Sequence, residues 1–211
     1  MKKIFSFSAA LILIGTVATA QSFEGTIDFQ QFNGVDTTYY KYYVKGDKVK
    51  VDNYDPKTNN DEGDFLIDLT SKKTTALSPV RKVYFDQPPG AAVKPGGTPT
   101  VTKTGKVKTI NGLKCTEYLV VDADEGLKIH FWMAAGHYDF FSQMLQILNR
   151  KDKFSEYYLV MTGVTGMFPM LAEEEDTAGN PKGWMKAVKV DKGTIAATTF
   201  DIPKGYKEFK K

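Results

Sequence analysis

The sequence predicts an α+β protein that is mainly β: an antiparallel sheet with one main helix packed on a face of it. Three observations lead there. Apolar and polar residues alternate with period two along most of the chain, as they do in strands with one buried face. Turn residues punctuate these runs at short intervals. A single segment, "YDFFSQMLQILNR", has the 3.6-residue period of an amphipathic helix.

The first 20 residues stand apart from this pattern. Lys2 and Lys3 precede an apolar run from Ile4 to Ile14, and Ala18-Thr19-Ala20 follows. A positive start, an apolar core well short of the roughly 20 residues of a membrane span, and small residues before a cut describe a secretory signal peptide. Cleavage is expected after Ala20, which leaves residues 21–211 as a single exported domain, not membrane-spanning. No cysteine stands at that point to take a lipid anchor. Removing 20 of 211 residues leaves 191, enough for one sizeable core. It also removes two of the 28 basic residues, so the formal charge of +3 becomes +1. That balance, with only two arginines, gives no electrostatic case for nucleic acid.

Along the mature chain the elements follow in order. Phe23, Gly25, Ile27 and Phe29 alternate with Glu24, Thr26, Asp28 and Gln30. "YKYYVKGDKVKVDNY" reads as a hairpin turning at Gly46-Asp47, with Tyr42, Val44, Val49 and Val51 on one face. Phe65, Ile67 and Leu69 make a third apolar face, and short segments follow around Leu77 and Val83-Tyr84-Phe85. Residues Pro88 to Pro99 hold four Pro and three Gly, which fit a loop, either an ordinary connection or a lid over a cavity. A basic strand with Lys103, Lys106 and Lys108 then reaches a tight Asn111-Gly112 turn.

The next strand, "LKCTEYLVVD", does not alternate cleanly. Cys115, Glu117, Leu119 and Val121 share one side and Tyr118 and Val120 the other, as if both faces were partly covered. Beyond "DADEG", the residues Leu127, Ile129, Phe131 and Met133 form an unambiguous apolar face. In the helix, Phe140, Met144, Ile147 and Leu148 recur at helical spacing, widened by Phe141 and Leu145, with Asp139 suited to the N-cap and Arg150, Lys151 and Lys153 to the C-terminal end. A last hairpin turns near Gly179-Asn180, which would set Glu173, Glu174, Glu175 and Asp176 against Lys182, Lys186 and Lys189.

Chemistry-bearing patterns are sparse. Cys115 is the one cysteine of the chain, without a partner or a neighbouring base to activate it, and reads as a small buried residue on a strand. The two histidines, His130 and His137, lack zinc-site spacing, and "VVDADEG" lacks the later ligands of a calcium loop. No nucleophile elbow, zincin helix or phosphate loop is present. The chain is therefore read as a non-enzyme with no metal and no cofactor. Its 14 Phe, and its six Met once Met1 is set aside, supply adaptable apolar surface.

Three stretches in this order, "YYVKGDKVKVD" (42–52), "INGLKCTEYLV" (110–120) and "FDIPKGYKEF" (200–209), resemble the exported domain-of-unknown-function family 4412 of outer-membraned bacteria. Members look like relatives of the periplasmic lipoprotein carriers of the LolA and LolB type. The resemblance implies a strongly curved antiparallel half-barrel with the helix on its concave face, and it carries over no catalytic residue. The expected function is a soluble periplasmic binding protein holding a lipid or acyl chain in the half-barrel. Its expected ligand-binding residues are Ile27, Phe29, Phe65, Ile67, Ile129, Phe131 and Met133 from strands, with Met144 and Leu148 from the helix. The competing expectation is a cell-envelope module with a filled core that works through a protein partner. Interior volume separates the two: a continuous pocket of about 300 Å³ or more favours carriage.

Overall fold

A computed structural model describes residues 22–57, 60–88 and 93–210. The expected signal peptide and part of the Pro/Gly loop lie outside them. The strands are β1 (Gly25–Phe32), β2 (Thr37–Lys45), β3 (Lys48–Asp55), β4 (Asn60–Asp68), β5 (Lys73–Ser78), β6 (Val83–Gln87), β7 (Thr100–Ile110), β8 (Leu113–Asp122), β9 (Leu127–Ala135), β10 (Met167–Asp176), β11 (Pro181–Lys192) and β12 (Lys207–Glu208). Two helices, α1 (Asp139–Leu148) and α2 (Lys153–Val160), separate β9 from β10.

All the strands join one curled sheet in the order β12-β6-β5-β4-β3-β2-β1-β11-β10-β9-β8-β7. Every pairing is antiparallel except β12 with β6. Two meanders meet at the centre, where β1 takes β2 on one side and β11 on the other. The connection from β6 to β7 therefore runs from one side of the sheet to its far edge. Bulges at Asp28/Phe29, Lys103/Val107, Pro169/Leu171 and Glu174/Glu175 increase local twist and bend the sheet toward the half-barrel that the resemblance implies. Pro169 falls at one of these bulges, where a missing ladder donor does least harm.

The local rules explain the elements. Asn111 and Gly112 both have positive φ, 51° and 73°, as a two-residue hairpin turn between twisted strands requires. Gly25 serves a different need: a Cβ there would overlap the Asp191 carbonyl oxygen, so only glycine lets β1 approach β11. The inward rows of Phe23, Ile27 and Phe29, of Tyr42, Val44, Val49 and Val51, and of Leu127, Ile129, Phe131 and Met133 are buried as their alternation requires.

Four expectations are corrected. Tyr138, not Asp139, is the N-cap of α1, and Asp139 is its first helical residue, where a carboxylate suits the positive end of the dipole. The chain has a second helix where one was expected. Asp152 caps α2, accepting from the Ser155 amide at 3.0 Å and its hydroxyl at 2.7 Å, and Phe154, Tyr157 and Tyr158 are its buried side. Lys153 thus opens α2 and does not finish α1. Only Asp176 meets a lysine of its own hairpin, Lys182 at 3.1 Å; Glu173, Glu174 and Glu175 reach Lys108, Lys153 and Lys128.

Candidate functional site

The concave face of the sheet and the inner sides of both helices form one apolar body. Sheet residues from β1 to β4 and from β8 to β11 join Phe140, Phe141, Met144 and Leu145 of α1 and Phe154, Tyr157 and Tyr158 of α2. Phe168 of β10 is its aromatic hub, with ring centroids 4.6 Å from Phe141, 5.6 Å from Tyr138, 6.2 Å from Phe29 and 6.3 Å from Phe140.

The structure brings all nine of the residues expected to line a site into this body. Ile27, Phe29, Ile67, Ile129, Phe131, Met133 and Met144 are buried, and Phe65 and Leu148 are half-buried against it. The sequence reading omitted Phe168, Phe141, Tyr158, Met170 and Met185, which complete it. The 154/157/158 spacing, three and four residues apart as on a helix face, is the signal that would have found α2.

The expected hollow is filled by side chains. Within the apolar body the space between Phe29, Tyr42, Phe141, Leu145, Arg150 and Tyr158 is about 10 Å³, barely enough for one water. The physical reason is α2: a second helix supplies the bulk that one helix would have left as space. Outside this point lies an open groove of about 710 Å³, with Tyr40, Glu125, Lys151 and Lys182 on its walls. Gln31, Asp152 and Phe154 line both spaces and form the partition.

Polar contacts among the described residues fasten the helix layer to the sheet. Gln31 Nε2 donates to Asp152 at 3.4 Å, Lys153 pairs with Glu174 at 3.0 Å, and the Tyr158 hydroxyl donates to the Met167 carbonyl at 3.0 Å. The most buried contact is Tyr157 Oη to Asp122 Oδ2 at 2.8 Å. Burial, with the Asp122 carboxylate beside it, pushes the Tyr157 hydroxyl far above the ordinary phenol range. The Arg150 guanidinium lies 4.8 Å from the Tyr40 ring centre. Burial opposes its charge, and the fields of Tyr42, Tyr40 and Asp152 more than offset this.

Cys115 is fully buried, with its thiol 3.5 Å from the Leu113 carbonyl, and burial raises its pKa. Among the described residues no cluster of three or more His, Cys, Asp or Glu is placed to hold a metal ion. No helix among them is long and apolar enough to cross a membrane.

These features define a class: a mainly β half-barrel whose apolar concave face is covered by its own helix pair. The chain belongs to the family described as Domain of unknown function (DUF4412), which it matches over residues 23–206. No curated protein matches the chain. Among solved structures, an uncharacterized conserved protein from Thermus thermophilus aligns with a TM-score of 0.51 at 8% identity, over 89% of this chain and 91% of that one. A structure of PNGF-II aligns at 0.45 and 11% identity, covering 88% of this chain and 30% of that one. A domain from Vibrio parahaemolyticus named for outer membrane lipoprotein sorting aligns at 0.35 and 13% identity, covering 84% and 89%. The first of these likenesses concerns the fold alone, and the other two, below 0.5, add nothing to it.

Proposed function

We propose that the chain is a periplasmic binding protein of lipoprotein-carrier-like build, which carries an acyl chain by exchanging it for its own helix layer. It binds and does not catalyse. The observation that carries this reading is the construction of the concave face: a continuous apolar sheet surface covered by two short helices through Phe140, Phe141, Met144, Leu145, Phe154, Tyr157 and Tyr158. Met133, Met144, Met161, Met170 and Met185 are buried in this body, and methionine repacks around varied shapes. The leader-like residues 1–20 support export.

The energies are of the same order. Lifting the helix pair uncovers seven large side chains, roughly 10–20 kcal/mol at about 1.5–3 kcal/mol each. Contacts between the helices, such as Phe141 on Tyr158 at 4.8 Å, survive if the pair moves as a unit. A ~16-carbon chain laid on the exposed face returns about 12–13 kcal/mol. The return meets only the lower part of that cost, so the exchange depends on the helix pair moving as a unit.

The filled interior favours a second reading, in which the helices never lift and the protein acts as an envelope module through its surface. Native mass spectrometry of protein taken gently from the periplasm, with titration by a fluorescent 16-carbon fatty acid, separates the two. One acyl chain per protein and saturable uptake support carriage. An unliganded mass and no uptake leave the module.

A further inference from the structure

The two tryptophans of the chain are both placed on the outer, convex face. Pairing registers set the rows there: Glu117 opposite Trp132 opposite Leu171, and His130 opposite Glu173 opposite Trp184. Trp132 and Trp184 thus stand two strands and two residues apart, a Cα separation of about 12 Å from ordinary sheet spacings. Between them lies a groove of about 340 Å³, whose walls include Glu117, His130, Trp132, Glu173, Glu175 and Trp184. Its volume is at the lower end of the range of about 300–1,000 Å³ usual for small-ligand sites.

The groove is built at a cost to the fold. Glu117 is 2% exposed although it is on the outer face. Burial opposes its charge, while the Thr104 hydroxyl at 2.5 Å, His130 Nδ1 at 2.9 Å and Lys106 at 3.2 Å more than offset this. A buried ion cluster of this kind contributes little net stability. On its other side the His130 ring reaches Glu175, with Nε2 at 3.6 Å. The Trp132 indole N–H is buried and has no acceptor among the described residues.

We propose that this groove binds a pyranose ring, as part of a neutral oligosaccharide. Aromatic plates meet the C–H faces of a sugar, and the flanking carboxylates and imidazole accept from its hydroxyls. Charge decides against a cationic ligand. Glu117, Glu173 and Glu175 are already paired with Lys106, Lys108 and Lys128. The positions over the rings are also occupied, by Lys108 4.0 Å from the Trp132 centre and Lys186 4.6 Å from that of Trp184. What the site still offers is aromatic surface and hydrogen-bond acceptors, the pattern of a polyol with an apolar face. Lys108 and Lys186 repel a second cation from the rings, whereas a neutral sugar meets no such repulsion and takes the ring faces as these flexible side chains swing aside. The groove is on the opposite face from the acyl site, so this assignment stands whatever occupies the concave face.

The test is titration of the mature protein with chitotetraose and with cellotetraose, followed by tryptophan emission and calorimetry. At least one gives saturable binding with a change in emission. Trp184→Ala and Glu173→Gln each weaken that binding tenfold or more, and Trp184→Phe retains most of it, while far-ultraviolet circular dichroism confirms that each variant is folded. No saturable binding of either oligosaccharide overturns the proposal. So does binding that Trp184→Ala leaves unchanged, or binding of tetramethylammonium in place of the sugars.

Discussion

If an acyl chain enters by displacing the helices, loosening them must tighten its binding while it weakens the fold. Tyr157→Phe makes the cleanest test. It deletes one hydroxyl from α2 and with it the 2.8 Å bond to Asp122. Asp122 is not left bare, because the amides of Asp124 and Glu125 each donate to it at 3.1 Å. A hydrogen bond to an ionised acceptor contributes about 1.5–3 kcal/mol. That amount is lost from the closed arrangement and not from one with the helices lifted. The open population rises by about tenfold to a hundredfold, and the apparent dissociation constant for the ligand falls by the same factor. Urea unfolding of the free protein loses about the same 1.5–3 kcal/mol. The assay pairs that unfolding curve with titration of a fluorescent 16-carbon acid. A variant that loses stability but binds the acid no more tightly refutes entry by helix displacement.

The remaining predictions concern the frame of the fold. Gly25→Ala places a methyl group where the Asp191 carbonyl stands, at a φ of +150°, and should cost roughly 1–3 kcal/mol in urea unfolding; an unchanged midpoint would show that β1 and β11 can separate freely. Cys115, buried with a raised pKa, should resist a thiol reagent in native buffer and react only as denaturant opens the chain; rapid native labelling would contradict its burial. Asp68 pairs with Lys48 at 2.6 Å and accepts from the Ser71 amide at 2.9 Å, which together lower its pKa to about 2. Its contribution to stability should be complete above its unfolded value of about 3.9 and lost as pH falls toward 2. Thermal melts between pH 2 and 5 should therefore show a shallower acid loss for Asp68→Asn.

Period-two alternation was enough to read most of the sheet, because which face a strand buries is a local property. Tyr42, Val44, Val49 and Val51 had to share a face whatever their neighbours were. The inward placement of the nine residues expected at the site was legible for the same reason: each is on the apolar side of its own element. Glu117 shows where that logic stops. It shares a side with Cys115, Leu119 and Val121 on a strand whose pattern left inside and outside undecided, and its burial depends on Thr104 and Lys106 arriving from β7 and His130 from β9.

By itself, then, the chain's order of residues determined most of the strands, the apolar rows, the first helix and the hairpin turns, all of which follow from contacts a few residues long. Tertiary structure decided the rest. The second helix is only eight residues, too short to be stable before it docks, and its docking turned an expected hollow into a packed interior. Strand pairing, in registers that no local pattern encodes, set Trp132 across a groove from Trp184, 52 positions apart in the chain.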